Sequence, residues 1–212
     1  MISAILLAAG RSQRMGRQKV LLPYGGVTVI EHIVDVVKRG GTDEIIVVTG
    51  HDAERAAPVL GLLPVQIVHN AAYDEGMLSS VRQGIRAAGP ETMAYMIVLG
   101  DQPAIRPEVV AALIAAFRER PEVSDPILVP TWKGCRGHPL LVHRRFREEM
   151  LHQHDDVGLR GLIAARANHV HDIPAPGSEI LRDMDVPEDY AREIKLLEEA
   201  APPQDKPGLS SG

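Results

Sequence analysis

The spacing of apolar residues changes along the chain in a repeating way. Ile2–Ala8 is a short, almost wholly apolar run, the pattern of a strand buried on both faces of a parallel sheet. Thr28-Val-Ile-Glu31 has the form of a capping box. Val29, Ile30, Ile33, Val34 and Val37 then recur at helical spacing as far as Gly40-Gly41. Glu44–Thr49 reads as a second strand, Asp52–Leu60 as a short helix and Val65–His69 as a third strand. Ser79–Ala88 reads as a helix with Val81, Ile85 and Ala88 on one side, and Tyr95–Leu99 as a fourth strand. Pro107 suits the first turn of a helix running through Val110, Leu113, Ile114 and Phe117. Alternating strands and helices predict a three-layer, Rossmann-like α/β fold. Its sheet is mostly parallel, with right-handed crossovers and helices on both faces.

The second half is less regular. Pro126–Pro130 and His138–Val142 read as strands joined through Trp132–Gly137, the pattern of an antiparallel pair. Arg144–Leu151 and Val157–Ala167 read as helices, Val170–Ile173 as a short strand, and Pro187 opens a last helix over Glu188–Glu199. Residues 1–199 are expected to form one domain. Residues 200–212 are expected to be a disordered tail, because proline and glycine are frequent there and apolar periodicity is absent.

Composition narrows the function classes. A chain of 212 residues is long enough for one sizeable core. A formal charge of −5 and only seven aromatic residues argue against a nucleic-acid-binding face. The single cysteine, Cys135, excludes an internal disulfide and fits a reducing compartment. Ile2–Ala9 is too short to span a membrane and lacks the charged start of a secretory signal, so a cytoplasmic location is expected.

Candidate chemistry gathers where strands are expected to end. The first strand breaks into Gly10-Arg-Ser-Gln-Arg-Met-Gly-Arg-Gln-Lys19, a loop with two glycines and four cations. Such a loop suits a polyphosphate, because glycine lets N–H groups approach and cations offset the charge. It equally suits a βα turn with a solvated basic face. It carries neither the Walker A pattern nor G-x-G-x-x-G. In parallel sheets ligands lie beyond the carboxyl ends of the strands, so Gly10, Asn70 and Asp101 fall where they can share one cleft. Asp101 is either a cleft carboxylate or a turn residue before Gln102-Pro103. Asp183 and Asp185, two apart in RDMDVPED, point to one side of an extended segment. Asp185 has a second reading as the cap of the last helix, with Glu188 completing a capping box. Ser79 likewise is either a helix cap or an anion donor. Cys135 and His138 build no triad. The pairs His152/His154 and His169/His171 lack a third ligand and read as surface residues.

LAAGRSQRMGRQKVLLP resembles the signature loop of the MobA-like nucleotidyltransferases, most closely their molybdenum cofactor cytidylyltransferase branch. HNAAYDEGMLSSVRQGI, VLGDQP, GCRGHPLLV and EILRDMDVPEDY fit the same family in the same order, so the likeness runs from Ile2 to about Tyr190. The resemblance implies Mg²⁺-dependent transfer of a nucleoside monophosphate from an NTP to a phosphate, with release of pyrophosphate. For that branch the substrates are CTP and the molybdenum-pterin cofactor, with a molybdoenzyme apoprotein or its chaperone as a further partner. It implies Asp101 as a metal ligand, with Asp183 placed ahead of Asp185 as the second. Arg14 and Lys19 match R-M-G-x-x-K, which includes Gly16, and would hold phosphates. Arg11 and Arg17 fall at variable positions and read as solvated. Leu6, Ala8 and Ala9 would form the shelf under base and ribose, with Gly10 also binding the nucleotide. Asn70, Gly76, Ser79 and Ser80 would form a second nucleotide loop. Gly137 and His138 would lie at the acceptor. Met184 and Val186 stand where the family's D-I-D-T-P-E-D has Ile and Thr. Transfer to a sugar phosphate, to methylerythritol phosphate or to the pterin from GTP stays open, as does a non-catalytic pterin carrier.

Overall fold

The computed structural model describes residues 1–120 and 125–200. The chain runs β1 (Ile2–Ala8), β2 (Pro23–Tyr24), β3 (Val27–Thr28), α1 (Val29–Arg39), β4 (Glu44–Thr49), α2 (Ala53–Leu60), β5 (Gln66–His69) and α3 (Met77–Ala87). It continues β6 (Ala94–Leu99), α4 (Pro107–Arg118), β7 (Ile127–Trp132), β8 (Cys135–Arg136), β9 (Leu140–His143), α5 (Arg147–His152), α6 (Leu159–Ala165), β10 (Val170–Pro174) and α7 (Pro187–Ala200).

The main sheet has the order β10-β7-β9-β6-β1-β4-β5, with β8 paired to β7. β1 lies at its centre, parallel to β6 on one side and to β4 on the other. β9 runs antiparallel between β6 and β7. The sheet is thus mostly parallel, and the antiparallel pair expected in the second half is present.

Alternation along β1 builds the three layers. Ala4, Leu6 and Ala8 face a core shared with Val29, Ile33 and Val37 of α1, with Val110 and Leu113 of α4, and with Tyr190 and Ile194 of α7. Ile5 and the partly buried Leu7 face the opposite core, with Val81 and Ile85 of α3, Met150 and Leu151 of α5, and Leu162 of α6. Period-two side-chain direction therefore decides which helix layer each residue meets. α3 approaches β1 closely through Gly84, where an added Cβ would collide with Ile5 Cγ2.

The capping box of α1 is present: Glu31 N–H donates to Thr28 Oγ1, and Glu31 Oε2 accepts from Thr28 N–H at 2.7 Å. Other expectations shift. The β2–β3 hairpin and β8 were too short to carry a periodic signal. Residues 144–151 split into a tight turn at Arg144–Phe146 followed by α5, α6 is shorter than Val157–Ala167, and α3 starts two residues before Ser79. Ala200 still belongs to α7, and the rest of the expected tail lies outside the described residues. Among the described residues no helix is long and apolar enough to cross a membrane.

Candidate active site

Of the residues expected to share a cleft, Gly10 and Asp101 do so and Asn70 does not. A cavity of about 280 Å³ opens beyond the ends of β1 and β6, with Leu7, Ala8, Ala9 and Gly10 along one wall and Gly100 and Asp101 beside them. The opposite wall comes from the loop after β5 and the start of α3, through Tyr73, Asp74, Gly76, Met77 and Ser80. Gly76 has φ +103°, a backbone that a side chain would strain, and this turn carries the chain from β5 onto α3 along the cavity.

Lys19 is the centre of the charged end. Its N–H donates to Ser12 Oγ at 3.1 Å, which ties both ends of the glycine-bearing loop together. Its ammonium lies 2.6 Å from Asp185 Oδ1 and 3.3 Å from Asp101 Oδ2, with the lysine side chain only 12% exposed. Arg14 reaches the other oxygen of Asp185 at 3.7 Å from the solvent side. Burial pushes the Asp101 carboxyl above its ordinary range, Lys19 pulls it down, and Asp183 and Asp185 push it further up. The site is crowded with negative charge that one lysine only partly offsets.

The acidic segment is held in place by its backbone. Met184 N–H donates to Asp101 O at 2.9 Å, and the Met184 side chain is buried in the core. α7 starts at Pro187, so Asp185 is not the residue that precedes it; Asp189, in its first turn, reaches back, and its Oδ2 accepts from the N–H groups of Asp185 and Val186 at 3.0 and 3.1 Å. That leaves the Asp185 carboxylate turned toward Lys19. Asp183 instead accepts from Gln102 Nε2 at 2.6 Å. The two carboxylates are thus held differently, Asp183 by the Gln102 amide and Asp185 by the Lys19 ammonium, and both act electrostatically on Asp101.

Residues 4–171 match the family of the MobA-like NTP transferase domain. The chain belongs to that family. It is 26% identical over 190 residues to the molybdenum cofactor cytidylyltransferase of Escherichia coli K12, covering 89% of this chain and 93% of that one. It is 30% identical over 172 residues to the nicotine blue oxidoreductase of Paenarthrobacter nicotinovorans, covering 77% and 75%. Its fold matches Rv0371C of Mycobacterium tuberculosis H37Rv, solved in complex with manganese, with a TM-score of 0.77 at 27% identity, covering 92% and 98%. The protein is a nucleotidyltransferase of the MobA-like family.

In this MobA-like cavity the remaining candidate residues divide. Ala8, Ala9, Gly10, Gly76 and Ser80 line it, with Lys19 and Asp101 at its charged end. Leu6 does not: alternation turns it into the core, and Leu7 takes the wall. Asn70 is fully buried, and its amide is spent inside the loop. Its Nδ2 donates to Ser79 Oγ and Ser80 Oγ at 2.8 and 2.9 Å, and its Oδ1 accepts from Ala72 N–H at 3.0 Å. Ser79 Oγ lies 2.8 Å from Gly76 O and 2.9 Å from Ala72 O and directs its single proton into the loop, so it neither caps α3 as its N-cap nor faces the cavity. These two residues shape the wall from behind. Gly16, at φ +62°, closes the turn Gln13–Met15 outside the cavity. Gly137 and His138 lie between β8 and β9, where His138 N–H donates to Ile180 O at 3.1 Å. Burial holds the His138 imidazole below its ordinary range, although nearby Asp183 opposes this.

Charge pairing departs from expectation at two places. Arg11 is not merely solvated: its guanidinium lies 3.7 Å from Asp74 and 5.5 Å from the centre of the Tyr73 ring, bridging the two walls. His154 is not a surface histidine but pairs with Glu149 at 3.0 Å. Among the described residues no group of three or more His, Cys, Asp or Glu side chains could hold a metal. A magnesium-type ion needs less, since one or two carboxylates with substrate phosphates suffice. Asp101 and Asp185 fit that demand: both are hard oxygen donors, and both already face one cation, the Lys19 ammonium. Sequence reasoning missed Gln18, Tyr73, Met77 and Gln102. Gln18 and Gln102 adjoin Lys19 and Asp101 in sequence, and that adjacency was the available signal.

Proposed function

We propose that the protein transfers CMP from CTP to the terminal phosphate of the molybdenum-pterin cofactor and releases pyrophosphate. The observation that carries this reading is the Lys19 ammonium held between Asp101 and Asp185 at one end of a cavity whose far wall is small and partly aromatic. That arrangement suits a nucleotide lying along β1 with its triphosphate toward Asp101.

The acceptor phosphate oxygen attacks the α-phosphorus in line. A new P–O bond forms as the bond from that phosphorus to the α,β-bridging oxygen breaks, and pyrophosphate leaves with the electron pair. A phosphate monoester is largely ionised at pH 7, so no general base is required, and His138, kept neutral by burial, serves the acceptor as a contact. Lys19 and Arg14 neutralise charge on the departing phosphates, and the cavity walls hold the nucleotide in line. Mg²⁺, when bound at Asp101 and Asp185, supplies further charge stabilisation of the triphosphate. Ala9 places a methyl group on the cavity wall, where it narrows the space available to a purine. One methyl is worth about 10–200-fold between competing bases.

The Paenarthrobacter relative is named an oxidoreductase, and the rival this raises is redox chemistry in the same cavity. Both are decided by one assay: pyrophosphate release from CTP, UTP, GTP and ATP with molybdenum-loaded pterin and Mg²⁺. The proposal expects CTP to give the highest kcat/KM, with UTP second. Equal or faster turnover of GTP moves the protein to guanylyl transfer. No release from any NTP, together with oxidation of a reduced nicotinamide cofactor, supports the rival.

A further inference from the structure

Gln18 has an acceptor without a donor. The residue is 9% exposed and lines the cavity, yet its Oε1 is buried with no hydrogen-bond partner among the described residues. Its Nε2 donates to the carbonyls of His51 and Asp52, at 3.4 Å each. Two carbonyls at one end of the amide fix which end is NH₂, so the other end is an acceptor. A buried acceptor left unpaired is costly, and buried polar groups in folded proteins are normally satisfied. A ligand donor would satisfy this one. The two Nε2 contacts are long, so a small rotation that presents Oε1 to the cavity gives up little.

The sheet order says which part of the ligand lies there. β6, which delivers Asp101, flanks β1 on one side, and β4, whose end carries His51 and Asp52, flanks it on the other. Gln18 is therefore anchored on the side away from the acidic cluster. The same side carries Tyr73, whose ring lies 5.8 Å from that of His51. If phosphates occupy the Lys19–Asp101 end, the opposite end holds the base. Cytosine offers an exocyclic amino donor at its edge, whereas uracil has an acceptor in the same place. A site built around a polar partner rejects an analogue lacking it far more strongly than an apolar pocket rejects a change of size.

We infer that Gln18 accepts a hydrogen bond from the exocyclic amino group of the nucleotide base and is the residue that separates CTP from UTP. This rests on the reading of the cavity as a CTP site, and the test separates the two. Equilibrium dissociation constants for CTP and UTP with Mg²⁺ are measured on the parent, Gln18→Met and Gln18→Glu, with thermal melting to check folding. The parent should bind CTP at least ~10-fold more tightly than UTP, as expected for one buried hydrogen bond. Gln18→Met, which keeps the length and removes the acceptor, should bring the ratio to within about threefold by weakening CTP. Gln18→Glu keeps an acceptor, so it should still favour CTP even if its charge weakens both nucleotides, and it carries the test if the Met variant does not fold. A parent that binds CTP and UTP equally overturns the base assignment and this inference with it. A selective parent whose ratio survives in Gln18→Met, or disappears in Gln18→Glu, overturns only the role of Gln18. Equal weakening of CTP and UTP in Gln18→Met also overturns it, since that pattern means contact with the shared sugar.

Discussion

Lys19 and Asp101 answer to opposite demands. Lys19 is held by two carboxylates and shielded from solvent, so its charge is already aimed where a triphosphate would arrive. Lys19→Ala should therefore weaken nucleotide binding and slow transfer together, whereas Arg17→Ala, an exposed neighbour, should be nearly neutral. Steady-state kinetics on both variants check this, and equal losses would reduce the loop to a diffuse basic patch. Asp101 is strained electrostatically. Its folded pKa is raised above the unfolded value, chiefly by burial, so its contribution to stability is present at acid pH and lost as pH rises through the folded pKa. The ionised form of Asp101 is then a cost to the fold. Asp101→Asn should raise the urea midpoint at pH 7, with the gain shrinking in acid, while lowering Mg²⁺-dependent turnover by at least ~100-fold as expected for a lost metal ligand. A variant that keeps half its turnover would remove Asp101 from the metal site.

At the scale of elements, α7 joins the two halves of the charged end. Tyr190 Oη donates to Pro23 O at 2.7 Å, just after the Lys19 segment. Arg182, immediately before the acidic pair, lies 3.0 Å from Glu193 Oε1, and Glu193 is 1% exposed. The two face each other without hydrogen-bond alignment, and among the described residues neither Glu193 oxygen has another good partner, with Arg192 Nε at 3.5 Å. Removing one member of such a pair leaves a buried charge uncompensated. Arg182→Ala should cost on the order of 2–4 kcal/mol in urea denaturation. Arg182→Met with Glu193→Met should recover most of that loss. If the double variant is as unstable as the single one, packing of the arginine stem and not charge is what matters there.

At the scale of the whole molecule, the elements that were legible are those whose burial leaves a period. β1, β4 and β6 are buried on both faces and read as apolar runs, while α1 shows its inward stripe and its cap. β2, β3 and β8 have two residues each, too few for any period, and are defined only by their partners. The site was legible to the same depth. Strand ends pointed to Gly10 and Asp101, but the partition of Asp183 and Asp185 between Gln102 and Lys19 depends on a contact 166 residues apart in the chain. The inward turn of Leu6, and the use of Asn70 and Ser79 behind the wall, follow from pleat direction and loop closure that no local pattern encodes.

The central claim is that this cavity moves a cytidylyl group onto a phosphate. Product identity tests it most directly. The protein is incubated with molybdenum-loaded pterin, Mg²⁺ and CTP labelled at the α-phosphorus, and the pterin is recovered and weighed by mass spectrometry. The account predicts the label on the pterin, a mass increase equal to one CMP unit less water, and one unlabelled pyrophosphate per transfer. Label remaining in CTP, with the pterin recovered at its original mass, would contradict it.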